Sequence, residues 1–202
     1  GQRPPLAADG ALGSCAIGVY GLPGHGDQQR QLLPKKIEAL ADQRVVAVSA
    51  GRAHSLAVTA NGALWSWGDG GEGELGHGDE QHQLLPKKIE AFAGQFVVVM
   101  SAGYNHNIAI AAGGPISTWG MGERGCLGHG EDLSNQLLPK KVEAFTGQRV
   151  VAMSAGDDHS IVLTADGAVL TWGQGGHGCL GHGEDLSNQL LPKKIEAWAL
   201  EQ

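Results

Sequence analysis

The chain is poor in cysteine, in clustered basic residues and in long apolar runs. Its three cysteines, Cys15, Cys126 and Cys179, are an odd number that does not predict a disulfide framework. No block of five basic residues occurs and the formal net charge is −7, which argues against a dedicated nucleic-acid surface. No run of about 18 apolar residues could span a membrane, and no secretory leader opens the sequence. We therefore expect a cytoplasmic or nuclear protein without nucleic-acid or membrane partners.

Helical periodicity is also missing from the sequence. No stretch of 11 residues keeps the apolar spacing of an amphipathic helix, so the chain is expected to be all β. Glycine, in contrast, is abundant: it accounts for 33 of the 202 residues, roughly twice its usual share of ~7%. This composition predicts short strands joined by many tight turns.

The turns belong to an internal repeat of about 52 residues. Leu-Leu-Pro-Lys-Lys occurs four times, with its prolines separated by 52, 53 and 53 residues. Gly-His-Gly followed by an acid also occurs four times, and Ala-Gly-x-x-His and Trp-Gly occur three times each. Residues 125–141 and 178–194 are identical. We divide the chain into a partial repeat at 1–43 and full repeats at 44–95, 96–148 and 149–202, which together form one propeller-type domain.

Each full repeat is predicted to form four short strands. In the repeat at 44–95 these are residues 45–49, 54–59, 63–67 and 85–91. Asn61-Gly62, between the second and third strands, is the sequence signal of a tight hairpin, and Asp166-Gly167 occupies the same place in the last repeat. Four strands per repeat predict the four-stranded blades of a β-propeller, with about four repeats present.

The pattern G-x-G-x-x-G, at Gly68, Gly70 and Gly73, could suggest a dinucleotide-binding loop. That fingerprint requires a helix directly after the glycines and an acid further on. Here Leu-Gly-His-Gly follows instead, and the pattern recurs in the two later repeats. We therefore expect these glycines to build a strand connection with positive φ at several positions, and we expect no nucleotide or other cofactor.

The histidines and tryptophans of the repeat are expected to be structural. His54, His106 and His159 occur once per blade, so they cannot converge on one metal ion, and we expect each to hold the loop of its own blade. The Cys126-x-x-His129 spacing resembles half of a zinc site, but it has no second pair nearby. Trp67, Trp119 and Trp172 are predicted to be buried between neighbouring blades, with the indole N–H bonded to a backbone carbonyl.

Taken together, the motifs resemble the regulator-of-chromosome-condensation repeat. Each Ala-Gly-x-x-His histidine precedes its Trp by 13 residues, and each Trp precedes its Gly-His-Gly histidine by 10. The resemblance runs from about residue 7 to 197 and implies a propeller of seven blades, which would need about 360 residues at this repeat length. We therefore expect a partial array with a degraded first copy, in which Cys15 replaces the Trp, and self-association through its open blade edges.

The resemblance also suggests where a partner would bind. In family members that act as exchange factors for a small GTPase, the contacts come from the loops before the repeated histidines. In this sequence the two positions differ completely between copies. The residues predicted to bind a partner are Arg52, Tyr104, Asn105, Asp157 and Asp158. The acidic loops at 131–132 and 184–185 are expected on the opposite rim.

Two functions remain open from the sequence. The first is a protein-interaction propeller, not an enzyme, which would belong to a larger chain such as a ubiquitin ligase or a signalling scaffold. The second is a guanine-nucleotide exchange factor for a Ran-type small GTPase. Ultraviolet-B sensing is not expected, because the photoreceptor of this family has tryptophans where this chain has Arg52, Tyr104 and Asp157.

Overall fold

The computed structural model describes residues 12–14, 19–113 and 116–196. Its strands, in chain order, are β1 Gly13–Ser14, β2 Lys35–Lys36, β3 Val45–Ala50, β4 His54–Thr59, β5 Leu64–Gly68, β6 Gln83–Lys88, β7 Val97–Ala102, β8 His106–Ala111, β9 Ile116–Gly120, β10 Gln136–Lys141, β11 Val150–Ala155, β12 His159–Thr164, β13 Val169–Gly173 and β14 Gln189–Lys194. The helices of this part of the chain are five single 3-10 turns: Val19–Gly21, Glu38–Leu40, Glu90–Phe92, Glu123–Gly125 and Glu143–Phe145. No helix among these residues is long and apolar enough to cross a membrane.

The strands form three antiparallel four-stranded sheets and one two-stranded sheet. Each four-stranded sheet takes its strands in sequence order: β3 to β6, β7 to β10 and β11 to β14. We call these the first, middle and last blades, and the β1–β2 pair the half-blade. The all-β class and the four-stranded units predicted from the repeat are confirmed.

The hydrophobic core lies between neighbouring blades. Leu56, Leu64 and Ile89 of the first blade pack against Val97 and Trp119 of the middle blade. The same positions of the middle blade pack against the last blade, and the half-blade packs against the first blade in the same way. The first and middle blades therefore bury apolar side chains on both faces of their sheets, and the next blade along the chain covers the second of these faces.

The fourth strand differs from its predicted bounds. β6 covers Gln83–Lys88, whereas the sequence predicts 85–91. It begins earlier because Gln83 pairs with Gly68 across an irregularity in the β5–β6 register. It ends earlier because the buried Ile89 accepts the amide of Phe92 at 3.1 Å, which turns the chain into a 3-10 turn.

The strand register decides which loops share an end of a blade. In the middle blade, Gly120 at the end of β9 is paired with His106 at the start of β8 and with Gln136 at the start of β10. The Gly-x-x-His loop and the whole β9–β10 connection therefore lie at the same end. We call this end the loop rim; it consists of residues 51–53, 103–105 and 156–158 with the connections 69–82, 121–135 and 174–188.

The acidic loops belong to this same rim. Glu131 and Asp132 lie in the β9–β10 connection, and the register of β13 with β12 and β14 places Glu184 and Asp185 likewise. Their predicted place on the opposite rim is wrong, because the connection from third to fourth strand starts and ends beside the Gly-x-x-His loop. Lys140 binds Asp132 at 2.6 Å and Lys193 of the last blade binds its counterpart at 2.7 Å, so these acids lie towards the outer strand.

Candidate interaction site on the loop rim

Each Gly-x-x-His loop begins at a glycine whose surroundings leave no room for a side chain. A Cβ on Gly103 would lie 2.4 Å from the carbonyl oxygen of Gly156 and 2.7 Å from Cε1 of His106. A Cβ on Gly51 or Gly156 would lie 2.2 or 2.3 Å from Cε1 of the histidine in the same loop. The close approach of ring and backbone therefore fixes the repeated glycine and histidine, while the two residues between them remain free to vary.

The repeated histidines join neighbouring blades. His54 Nε2 lies 2.7 Å from Asn107 Oδ1 of the middle blade, and His106 Nε2 lies 3.0 Å from Ser160 Oγ of the last blade. The predicted contact of each histidine with the loop of its own blade is present, since its ring packs against the first glycine of that loop. The bond to the next blade is an addition that the sequence did not predict: its partner, Asn107 or Ser160, directly follows the histidine of the next blade and faces the preceding blade.

The partners of these histidines fix the ring tautomer. The Ser160 hydroxyl donates to the carbonyl oxygen of Cys126 at 3.0 Å, so His106 must donate to it from Nε2–H. The carbonyl group of the Asn107 side chain accepts from His54 in the same way, since its amide nitrogen donates to the Glu74 carbonyl at 2.8 Å. Burial keeps both rings neutral: it lowers the pKa of His54, and that of His106 to about 4.

The three variable loops lie side by side on the rim. The amide of Arg52 donates to the carbonyl oxygen of Tyr104, and the amide of Tyr104 donates to that of Gly156, each at 3.2 Å. The Arg52 guanidinium carbon lies 4.7 Å from the centroid of the Tyr104 ring, within the range of a cation–π interaction. Tyr104 remains 39% exposed and Asn105 is half-buried. The cation and the aromatic ring therefore form one exposed unit.

The two acids of the third loop have different environments. Asp157 is exposed, whereas Asp158 is half-buried and forms an ion pair with Arg124. Arg124 comes from the β9–β10 connection of the middle blade and also donates to Gln174 Oε1 at 3.0 Å. Of the two carboxylates, Asp157 is thus the one exposed on the rim, while Asp158 joins two blades.

A second set of variable residues on the rim was missed from the sequence. Its members take the same position of the Gly-rich connection in successive copies: Tyr20, Glu72, Arg124 and His177. The first three each reach the next blade. Tyr20 packs on His82 with ring centroids 4.7 Å apart, Glu72 accepts from Asn135 at 2.6 Å, and Arg124 binds Asp158. Complete variation between copies, the signal that identified Arg52 and Tyr104, also marks this position.

The tryptophans behave as predicted. Trp67, Trp119 and Trp172 are fully buried, and each indole N–H donates to a backbone carbonyl of the preceding blade or half-blade. The distances are 3.1, 3.0 and 2.9 Å. These hydrogen bonds therefore join the neighbouring blades directly beneath the rim loops.

The Gly-rich connection is a turn structure, as the sequence predicts. Gly68 and Gly73 have φ values of 108° and 78°, and a Cβ on Gly70 would lie 2.4 Å from the Gln81 carbonyl oxygen. The thiol of Cys126 donates to the Met121 carbonyl at 2.9 Å, and burial raises its pKa to about 12. Among the residues that the structure describes, no group of three or more His, Cys, Asp or Glu side chains is arranged to hold a metal ion.

Sequence profiles identify the repeat that builds this rim. Residues 18–58, 61–110, 114–163 and 166–199 match the profile described as the regulator of chromosome condensation (RCC1) repeat. The chain belongs to the RCC1 repeat family. The 61–110 copy begins at the hairpin after β4 and ends in β8, so the RCC1 repeat is offset by half a blade from the sheets.

The chain spans less than half the length of each of the following relatives. It is 39% identical over 180 residues to the human E3 ubiquitin-protein ligase HERC2, covering 88% of this chain and 4% of HERC2. It is 38% identical over 180 residues to the Arabidopsis thaliana Ultraviolet-B receptor UVR8, covering 89% of this chain and 40% of the receptor. The solved structure of Prp20p from Saccharomyces cerevisiae aligns with a TM-score of 0.78 at 25% identity, covering 96% of this chain and 49% of Prp20p. The chain therefore represents about half of such a propeller.

Proposed function

We propose that this chain is a protein-interaction array that recognises a partner through the loop rim and performs no chemistry itself. The proposal rests on one contrast. The glycine and histidine of each Gly-x-x-His loop are the same and are packed together, whereas the exposed residues between them are a cation, an aromatic ring and a carboxylate: Arg52, Tyr104 and Asp157. Arginine and tyrosine are enriched at protein interfaces, which supports a protein as the partner.

The relatives support the same class of partner. The yeast RCC1 protein Prp20 has been solved bound to Kap60, and its structure was described together with its binding to Gsp1p and histones. The likeness to HERC2 supports a place for this chain as a recognition segment of a larger ubiquitin ligase.

Affinity capture with matched variants tests the proposal. Proteins retained by the wild-type chain should be lost with Tyr104→Ala, because removing an aromatic anchor costs about 2 kcal/mol or more in binding. Asp157→Ala should weaken retention mainly at low salt, since an exposed carboxylate acts through screened attraction. Glu131→Ala is the control, because Glu131 is an exposed acid at the outer part of the same rim. If Glu131→Ala loses the partner and Tyr104→Ala keeps it, the loops before the histidines are not the binding site.

The second candidate is guanine-nucleotide exchange on a Ran-type small GTPase. The observation that favours it is the likeness to Prp20p, described with its binding to Gsp1p. Release of a fluorescent nucleotide from the loaded GTPase, with and without this chain, separates the two candidates. An accelerated release that Asp157→Ala abolishes supports exchange, whereas an unchanged release supports interaction alone.

A further inference from the structure

A cavity of about 780 Å³ lies at the joint between the middle and last blades, where their two sheets pack together. Its walls come from the β8–β9 hairpin, the end of β10 and the segment 143–150 that leads into β11. These parts meet at the end of the blades opposite the loop rim, since Ile110 at the end of β8 pairs with Ile116, and Ser117 pairs with Lys141. The volume is within the range of small-molecule sites, ~300–1,000 Å³.

The cavity combines buried apolar side chains with exposed cations. Ile110, Ile116 and Phe145 line it and belong to the core between the two blades. Lys141 and Arg149 also line it, and both are exposed. Within the part of the chain that the structure describes, neither cation forms an ion pair. The cavity therefore offers an apolar surface and two positive charges whose counter-ions the chain does not supply there.

An aromatic ring occupies the equivalent place one joint earlier. Phe96 takes the position of Arg149 in the preceding repeat. Its ring packs on Gly62 of the β4–β5 hairpin, where a Cβ would lie 2.5 Å from the ring carbon Cγ. The amide of Val97 donates to the carbonyl oxygen of Gly62 at 3.0 Å, which holds the hairpin beside the ring. The fold therefore accommodates a planar ring at this place, and the later joint has a cation there instead.

The hairpin beside the cavity also carries smaller side chains than its counterpart. Ala111 and Gly113 stand where the first blade has Thr59 and Asn61, whose side chains bond to each other at 2.6 Å. A Cβ on Gly113 would meet nothing within 4 Å. The middle blade thus lacks two polar side chains that the first blade has at its hairpin, which leaves space beside the segment that leads into β11.

We propose that this cavity binds a small molecule made of an aromatic ring with a carboxylate attached. The ring would pack over Ile110 and Phe145, as Phe96 fills the equivalent place, and the carboxylate would bind Arg149, whose guanidinium matches it with two parallel hydrogen bonds. The acid that also lines the cavity, Glu143, accepts the hydroxyl of Thr146 at 3.3 Å. Two cations therefore face one carboxylate of the chain, and the charge balance favours an anion.

Titration with naphthoate, followed by proton–nitrogen NMR spectroscopy, tests this site. The amide signals of residues 111–113 and 143–150 should shift, with a dissociation constant of about 1 mM or lower, as expected for a ligand of about a dozen heavy atoms. Naphthamide has the same ring without the charge and should bind at least about tenfold more weakly. No shift of these signals at about 10 mM naphthoate overturns the site. Equal binding of the two compounds overturns the anionic class of ligand.

Substitutions at Arg149 test where the ligand lies. Arg149→Phe should abolish binding, because its ring takes the place that Phe96 fills one joint earlier; the backbone carbonyl that accepts the Ala165 amide at 2.7 Å is unchanged. Arg149→Gln removes the charge alone and should weaken binding at least about tenfold. The matched control is Arg44→Phe, at the same repeat position but outside the cavity, which should bind as the wild type does. Wild-type affinity in both Arg149 variants overturns the proposed place of the carboxylate.

Discussion

At the scale of single residues, the loop rim combines side chains that build the joints with side chains that are free to vary. Glu74 and Cys126 occupy the same position in successive copies, and their backbone carbonyls accept the indole N–H of Trp119 and Trp172. Their own side chains differ because the joint uses only the backbone there. The same reasoning explains why Arg52 and Tyr104 can hold equivalent positions: the hydrogen bonds from their amides to the next loop use backbone atoms alone.

The buried tryptophans should dominate stability. Trp119→Ala removes a fully buried ring that packs on Phe92 at a centroid distance of 5.8 Å, a change that typically costs ~3–5 kcal/mol. His129→Ala removes one hydrogen bond to Thr118, whose hydroxyl keeps its bond to the Leu127 carbonyl, and should cost about 1 kcal/mol. Urea unfolding of both variants checks this, and equal midpoint shifts would contradict the position of the core.

Glu74 should make the protein less stable as the pH rises. Burial, aided by the nearby carboxylates of Asp69 and Glu72, raises the pKa of Glu74 to about 7 from an ordinary 4.5. Between these values the unfolded chain releases a proton that the folded chain retains, so increasing pH favours unfolding. The loss should reach roughly 3 kcal/mol, at about 1.4 kcal/mol per pH unit.

The variant Glu74→Gln isolates this effect. Its free energy of unfolding relative to the wild type should rise between pH 4.5 and 7.5, while Glu131→Gln, at an exposed acid, should follow the wild-type curve. Urea denaturation at a series of pH values measures the difference. A difference that does not change with pH would show that Glu74 titrates alike in the folded and unfolded states.

At the scale of elements, the features predicted correctly are those whose motifs lie within one copy of the repeat. The hairpins, the second strands and the buried tryptophans follow from motifs within one copy, so each was predicted correctly from residues such as Asn61-Gly62 and Trp119. What the sequence did not predict are contacts between blades and the pairing of strands. The histidines bond to the next blade, and the rim on which Glu131 and Asp132 lie depends on how β9 pairs with β10.

The start of each variable loop should tolerate no side chain. Gly103→Ala would push its Cβ against the Gly156 carbonyl of the last blade and the His106 ring, and overpacking of this kind costs ~1–3 kcal/mol or more. Gly71→Ala is the control, because its Cβ would meet only Asp69 Oδ1, at 3.5 Å. Thermal unfolding compares the two, and a Gly103→Ala variant as stable as Gly71→Ala would mean that the loops are not held by this contact.

At the scale of the whole molecule, stability should decrease towards the open end of the array. In a repeat array each unit is stabilised by its own contacts and by its neighbours. The middle blade packs against a neighbouring blade on both faces and so forms two joints, one with each neighbour. The last blade forms one such joint among the described residues. Residues 125–141 and 178–194 of the two blades are identical, and β8 and β12 take the same place in their sheets, so the two blades can be compared within a single protein.

Amide hydrogen exchange measures that contribution directly. At low protein concentration, the amides of β12 (His159–Thr164) should exchange at least about tenfold faster than those of β8 (His106–Ala111), the factor that corresponds to ~1.4 kcal/mol lost with one joint. Equal protection of β8 and β12 in the dilute wild-type chain would show that the joints contribute little and that each blade is stable by its own sheet.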